Sequence, residues 1–102
     1  MDKEKIKLGS IEKVPLGQGF CFMAEKKEIA VFRPRSGELC AITNRCPHRQ
    51  ASLAEGVIDS RQVICPYHGH KFDLHTGAGS EAGEKVEVYQ VSEETGEIWL
   101  EI

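Results

Sequence analysis

The chain has no apolar run longer than the five residues Phe20 to Ala24, against the roughly 20 that a membrane-spanning helix requires. Insertion into a bilayer by a helix is therefore not expected. The opening Met1-Asp2-Lys3-Glu4-Lys5 alternates charges where a secretory signal would place a basic start and then an apolar stretch, so a cytoplasmic location is expected. An excess of positive charge is missing too. Lys and Arg total 13 against 16 Asp and Glu, a net charge of −3, which offers no global attraction to nucleic acid or to an anionic membrane. The balance is uneven, since residues 1–60 carry 10 basic and 8 acidic groups and residues 61–102 carry 3 and 8. The acidic stretch from Glu81 to Glu101 reads as a solvated face.

Internal repeats, low-complexity tracts and linker-like composition shifts are absent from the 102 residues, so one domain over residues 1–102 is expected. A core of this size is modest, and a metal centre would add materially to its stability. Helical periodicity is also missing. Apolar residues fall in short runs or in strict alternation between clusters of Gly, Pro, Ser and Asn, a pattern that predicts an all-β fold. Ile6 and Leu8 mark a first strand. Phe20 to Ala24 and Glu28 to Arg33 form a hairpin around Glu25-Lys26-Lys27, and after the turn Pro34-Arg35-Ser36-Gly37 comes a strand from Glu38 to Thr43, together a meander. Gln62 to Cys65 leads into a loop. The tail folds into a hairpin about Glu93-Glu94-Thr95-Gly96, its second arm alternating Ile98, Leu100 and Ile102. Tyr89 and Trp99 sit at strand positions and read as core or edge packing.

Four cysteines without a secretory signal point to metal binding or free thiols rather than disulfides. Cys21 and Cys40 lie in apolar strand-like runs and read as buried free thiols without an assigned role. The other two belong to Cys46-Pro47-His48 and Cys65-Pro66-Tyr67-His68, with sixteen residues between His48 and Cys65. Each loop offers one thiol and one imidazole close enough to converge on a shared atom, which suits a metal centre. Pro47 and Pro66 have no N–H to satisfy and fix the local backbone angle. Gly69 admits close approach of an inorganic sulfide or a positive φ.

These two clusters, within a chain of this strand pattern, resemble the Rieske-type iron–sulfur proteins. The resemblance implies a 2Fe-2S cluster with one iron held by Cys46 and Cys65 and the other by His48 and His68. It also implies the Rieske fold, antiparallel sheets with a small cluster-binding subdomain formed by the two ligand loops. An oxidised core of charge +2 with two thiolates and two neutral imidazoles nets zero, whereas four thiolates would leave −2, so reduction is easier. Rieske centres accordingly span roughly −150 to +300 mV against about −400 mV for plant-type ferredoxins. High-potential respiratory members add a disulfide between the ligand loops and hydroxyl donors to sulfur. The corresponding positions here resemble Ala51, Tyr67, His70 and Phe72, which predicts a midpoint in the lower half of that range. Proton uptake by the histidine ligands predicts a pH-dependent potential above their oxidised-state pKa.

Two Cys and two His also suit a structural zinc site in a non-redox module, although zinc fingers usually group like ligands together, whereas here each loop has one of each. Around the loops, Arg45, Arg49 and Lys71 form either a basic docking rim or ordinary solvated charges. His70 either shields the centre or docks a partner, or is an exposed loop histidine, and His75 is a turn residue. Apart from the ligands only His70 and His75 remain, too few for the mononuclear iron domain of an oxygenase. No nucleophile–base set or phosphate loop is evident, so a one-electron carrier is expected. Asn44-Arg45-Cys46-Pro47-His48-Arg49, Ala54-Glu55-Gly56 and Val88-Tyr89-Gln90-Val91 resemble the small subunit of assimilatory NAD(P)H nitrite reductases. The implied partner is then a large flavin, sirohaem and iron–sulfur subunit. The other implied role is the ferredoxin of a multicomponent aromatic-ring dioxygenase, between a flavin reductase and a terminal oxygenase. Pro47, where those ferredoxins usually have Thr, tilts the expectation toward nitrite reductase.

Overall fold

A computed structural model describes residues 4–35, 38–45, 52–59, 61–66, 69–80 and 83–101. Among them the strands are β1 (Lys5–Ser10), β2 (Gly19–Ala24), β3 (Lys27–Phe32), β4 (Cys40–Thr43), β5 (Val57–Asp59), β6 (Gln62–Ile64), β7 (Lys71–Asp73), β8 (Val88–Glu94) and β9 (Glu97–Glu101), with single 3-10 turns at Ile11–Lys13 and Leu53–Glu55. The fold is all-β, as the alternation predicts. A six-stranded sheet runs β1-β9-β8-β4-β3-β2 and a three-stranded sheet runs β5-β6-β7, and every strand pair is antiparallel.

Both long hairpins close more tightly than the sequence suggests. Ala24 pairs with Lys27 and Glu94 with Glu97, leaving two-residue turns in which Glu25 and Lys26, and Thr95 and Gly96, all take positive φ. Turns of that hand match the twist of the flanking strands. The meander holds for β2-β3-β4 only, because β1 pairs with β9 at the far end of the sheet. The strand expected from Glu38 begins at Cys40, and β5 and β7, each three residues long, are additional. Ile102 and the Ser36-Gly37 half of the expected turn lie outside the described residues.

The run Ile29-Ala30-Val31-Phe32 is buried throughout because β3 is covered on both faces, the reason it lacks the alternation of a one-sided strand. Ile29 and Val31 join Val14, Phe22, Ala41, Ile98 and Leu100 in one core cluster. Ala30 and Phe32 join Cys40, Ile42, Leu53, Val63, Cys65 and Phe72 in the other. The β3–β4 ladder is thus a plate between two cores, and the small sheet rests on one side of it. Tyr89 and Trp99 are half-buried, and Tyr89 packs at the margin of the first cluster. Among the described residues no helix is long and apolar enough to cross a membrane.

Candidate metal centre

The second predicted ligand loop is the connection between β6 and β7. Val63 pairs with Phe72 and Ile64 with Lys71, and both Val63 and Phe72 are buried, so the hairpin is anchored by side chains pointing into the core. Cys65 follows directly. Its backbone N–H donates to the His70 carbonyl at 2.7 Å, and its own carbonyl accepts from the Gly69 N–H at 3.2 Å. Gly69 takes φ +70°, the left-handed conformation that a residue with a Cβ adopts at a cost. The Cys65 thiol is free and its residue is only 2% exposed. It is the one predicted ligand among the described residues. Cys46, His48 and His68 lie outside them, as do Ala51, Tyr67 and Arg49.

The first ligand loop is defined by its two ends. β4 finishes at Thr43, and Arg45 forms an isolated antiparallel bridge with Ser52, so the chain returns to its point of departure after residues 46–51. Asn44, 1% exposed, is the buried polar residue of the described core. Its Oδ1 accepts from Ser52 Oγ at 3.2 Å and from the Ala54 N–H at 2.9 Å, and its Nδ2 donates to Glu28 Oε1 at 3.1 Å. Its backbone N–H donates to the Glu28 carbonyl at 3.0 Å, and its carbonyl accepts from the Leu53 N–H at 2.6 Å. Both main-chain groups and both side-chain ends are therefore committed. Sequence reasoning missed Asn44 as anything more than part of a motif. Its only signal is its place between an apolar strand and Cys46.

The loops share a support. After the first loop the chain makes the Leu53–Glu55 turn, and Leu53 and Ala54 pack in the same cluster as Val63 and Cys65. At Gly56 the two segments meet without space for a side chain, since a Cβ there would lie under 3 Å from the Ile64 carbonyl oxygen, at the residue preceding Cys65. The exit of one loop is thus packed on the entry to the other.

Charges around the site are mostly paired. Arg45 donates to Glu28 Oε2 from Nε at 3.1 Å and from Nη2 at 2.8 Å, a two-pronged geometry that neutralises this member of the predicted basic rim. The Arg45 guanidinium and the Asn44 amide hold the Glu28 carboxyl below its ordinary pKa. Lys71 is exposed. His70 is neither free nor loop-exposed: its Nδ1 lies 2.9 Å from Glu84 Oε1, with side chains 18% and 15% exposed. Glu84 accordingly departs from the solvated acidic face expected of its region. His75 is an exposed turn residue, as expected. Cys40 is buried and its thiol is pushed up to about 11 by burial. Cys21 is half-buried rather than fully buried, and its pKa is raised by burial and by neighbouring Glu28. Neither thiol is paired in a disulfide.

A buried free thiol at the mouth of a tightly closed hairpin loop, packed on the base of a second closed loop, suits a metal centre held between two loops. The described residues thus define a small β protein in which a buried free thiol adjoins the bases of two loops. Comparison with known proteins gives the family. Residues 4–92 match the Rieske [2Fe-2S] domain, and the chain belongs to that family. Its cofactor is a 2Fe-2S cluster and its function is electron transfer. The chain is 26% identical over 104 residues to the ferredoxin component of a naphthalene 1,2-dioxygenase system from Pseudomonas aeruginosa, covering 100% of this chain and 99% of that one. It is 36% identical over 85 residues to 4beta-methylsterol monooxygenase from Methylococcus capsulatus, covering 72% of this chain but only 23% of that protein. The fold superimposes with a TM-score of 0.89 on a protein assigned as the NADH-dependent nitrite reductase small subunit of Mycobacterium tuberculosis, at 20% identity and covering 98% of this chain and 96% of that one.

Proposed function

We propose that Cys46 and Cys65 hold one iron of the cluster and His48 and His68 the other, within one domain spanning residues 1–102, and that the chain passes single electrons between two redox proteins without transforming a substrate itself. The observation that carries the ligand set is Cys65, a free thiol 2% exposed at the entry of a loop tied at both ends. When bound, the cluster supplies a one-electron couple. The chain's own residues do the rest. The β6–β7 hairpin and Asn44 fix the two loops, and Phe72, Val63 and Leu53 exclude water from the underside of Cys65.

The partners we favour are a flavin reductase and the terminal oxygenase of a multicomponent aromatic-ring dioxygenase. The support is the likeness to a naphthalene dioxygenase ferredoxin, which runs the full length of both chains. A second reading, the small subunit of an assimilatory NAD(P)H nitrite reductase serving a large sirohaem subunit, is favoured by Pro47 within Cys46-Pro47-His48. Both readings go with a cytoplasmic location. Anaerobically purified protein should be reddish-brown, contain iron and acid-labile sulfide in equal amounts and bleach reversibly with dithionite. Colourless protein holding zinc would overturn the electron-carrier role. Cys65→Ser should lose the cluster, and a Cys65→Ser protein with wild-type iron and sulfide would refute the ligand set. Stopped-flow oxidation of the reduced protein by a terminal oxygenase, compared with reaction at a sirohaem subunit, separates the two partners.

A further inference from the structure

We infer that Glu28 is a positioning residue for the first ligand loop, acting through Asn44 and Arg45. The inference rests on the proposed ligand role of Cys46 and His48. Glu28 lies on β3, one step beyond the Ile29–Thr43 pair that ends the β3–β4 ladder. From there its carbonyl takes the Asn44 N–H, Oε1 takes the Asn44 amide, and Oε2 takes two N–H groups of Arg45. One side chain thereby gathers the two residues that immediately precede Cys46. The bond to Nδ2 also sets which way the Asn44 amide faces. Only with Nδ2 toward Glu28 does Oδ1 point at Ser52 and Ala54, the residues to which the loop returns. Glu28 on a central strand therefore orients the entry of the loop directly and its exit by relay. A ligand loop fixed at both ends holds its donors at a set distance and angle from the metal, and supporting hydrogen bonds of this type tune metal affinity and potential.

Electrostatics and position make different predictions. Glu28→Gln removes the carboxylate charge but keeps an oxygen to accept from Asn44 Nδ2. Glu28→Ala removes the same charge and the acceptor as well. A purely electrostatic residue would give the two variants equal effects. For a positioning residue, Glu28→Ala alone alters the electron paramagnetic resonance g-values of the reduced cluster, and it raises the rate of cluster loss to a chelator roughly tenfold, the range expected when a hydrogen bond to a charged group is removed. Glu28→Gln keeps the wild-type g-values and stays within about threefold of the wild-type loss rate. Lys5→Ala, which breaks the exposed pair with Glu94 on the far side of the large sheet, controls for general destabilisation and leaves both readouts unchanged. Wild-type g-values in Glu28→Ala, or equal effects of the Gln and Ala variants, would overturn the positioning role. The proposed ligand set would survive either result, since it falls if a protein lacking one of its ligands, Cys46→Ser, His48→Ala or Cys65→Ser, still assembles a normal cluster.

Discussion

Replacing Gly56 by alanine is the smallest change that tests how the two loops are supported. Gly56 has φ −76°, which alanine adopts freely, so any cost comes from space. The new methyl group would lie under 3 Å from the Ile64 carbonyl oxygen, 3.0 Å from Val63 Cγ2 and 3.1 Å from the Leu53 carbonyl oxygen. Val63 can turn its side chain, but the carbonyls cannot move alone. Ile64 pairs with Val57 on one side and Lys71 on the other, so relief requires β6 to shift away from the Leu53–Glu55 turn. Overpacking of this kind costs about 1–3 kcal/mol, and backbone on both sides puts this site at the upper end, about 2–3 kcal/mol. In a domain of this size that lowers the melting midpoint by roughly 10–20 °C. Gly96→Ala is the comparison. There φ is +80° and no described atom lies within 4 Å, so the penalty is backbone strain alone, about 1–2 kcal/mol. Circular dichroism melts of both holoproteins at one scan rate, with visible absorption followed in parallel, separate the cases. Gly56→Ala should melt earlier than Gly96→Ala and alter the cluster spectrum, because the displaced strand leads into Cys65, whereas Gly96→Ala should leave that spectrum intact. A Gly56→Ala protein melting no earlier than Gly96→Ala, with an unaltered spectrum, would refute the shared-support argument.

Thiol chemistry gives a second check: with its pKa near 11, Cys40 holds roughly a thousandth of its sulfur as thiolate at pH 8, so iodoacetamide should label half-buried Cys21 first and Cys40 only on unfolding, counted by mass spectrometry. Acid stability follows from Glu28 and Asp73. Arg45 and Asn44 lower the Glu28 pKa; burial opposes ionisation of Asp73, but the Thr76 and His75 N–H groups and Arg61 outweigh it and lower that pKa as well. Groups lowered on folding contribute stability that is complete above the unfolded carboxylate pKa of about 4 and is lost as pH falls through the folded value. Denaturant midpoints should therefore drop below about pH 4, and less steeply in a Glu28→Gln/Asp73→Asn double variant. Protein-film voltammetry should find the midpoint in the lower half of the roughly −150 to +300 mV range, since fully buried Phe72 brings no hydroxyl to the site, and the potential should fall with pH once the histidine ligands titrate. A value near the top of the range would refute that argument.

The two long hairpins were legible because β2 and β3 are short apolar runs flanking a charged turn and β9 alternates after a glycine-containing one, so both stand within a residue or two of their expected places. The turn lengths were not, since Lys27 and Glu94 are as compatible with a turn as with a strand end and only the pairing register decides. β5 and β7 escaped notice for a different reason. Val57-Ile58-Asp59 and Lys71-Phe72-Asp73 are too short to display a period, and they are strands because β6 lies between them. Nothing local to Ile6 or Leu8 marks β9 as the partner of β1, because that contact joins the two ends of the sequence. The proposed Cys and His ligand pairs stand out in the sequence by chemistry and spacing, and of the four Cys65 alone lies among the described residues. Asn44 and Glu28 do not stand out, since an asparagine after a strand reads as a turn former and a glutamate within one reads as a solvent-facing charge. Their function lies in a geometry between strands.

The support of the site has an order that follows from strand length. Among the strands of the small sheet the fully buried side chains are Val63 and Phe72, too little apolar face for three short strands to persist alone in water, so β5-β6-β7 depends on what it packs against. On one side that is the β3–β4 plate, through Val63 and Phe72 against Phe32, Cys40 and Ile42. At the other end it is Leu53 and Ala54 of the turn that follows the first loop, which share a core cluster with Val63 and Cys65. The large sheet has no such dependence, since its second core of Val14, Phe22, Ile29, Val31, Ala41, Ile98 and Leu100 lies on the opposite face of the plate. With Cys65 as a ligand, as proposed, the cluster would stabilise chiefly the small sheet, and the plate would transmit little of that dependence to the far face. Such a division predicts that the large sheet persists when the metal is removed, which circular dichroism of chelator-treated protein would check. On that scaffold Glu28 and Asn44 hold Arg45 and Ser52, the described ends of the proposed first ligand loop.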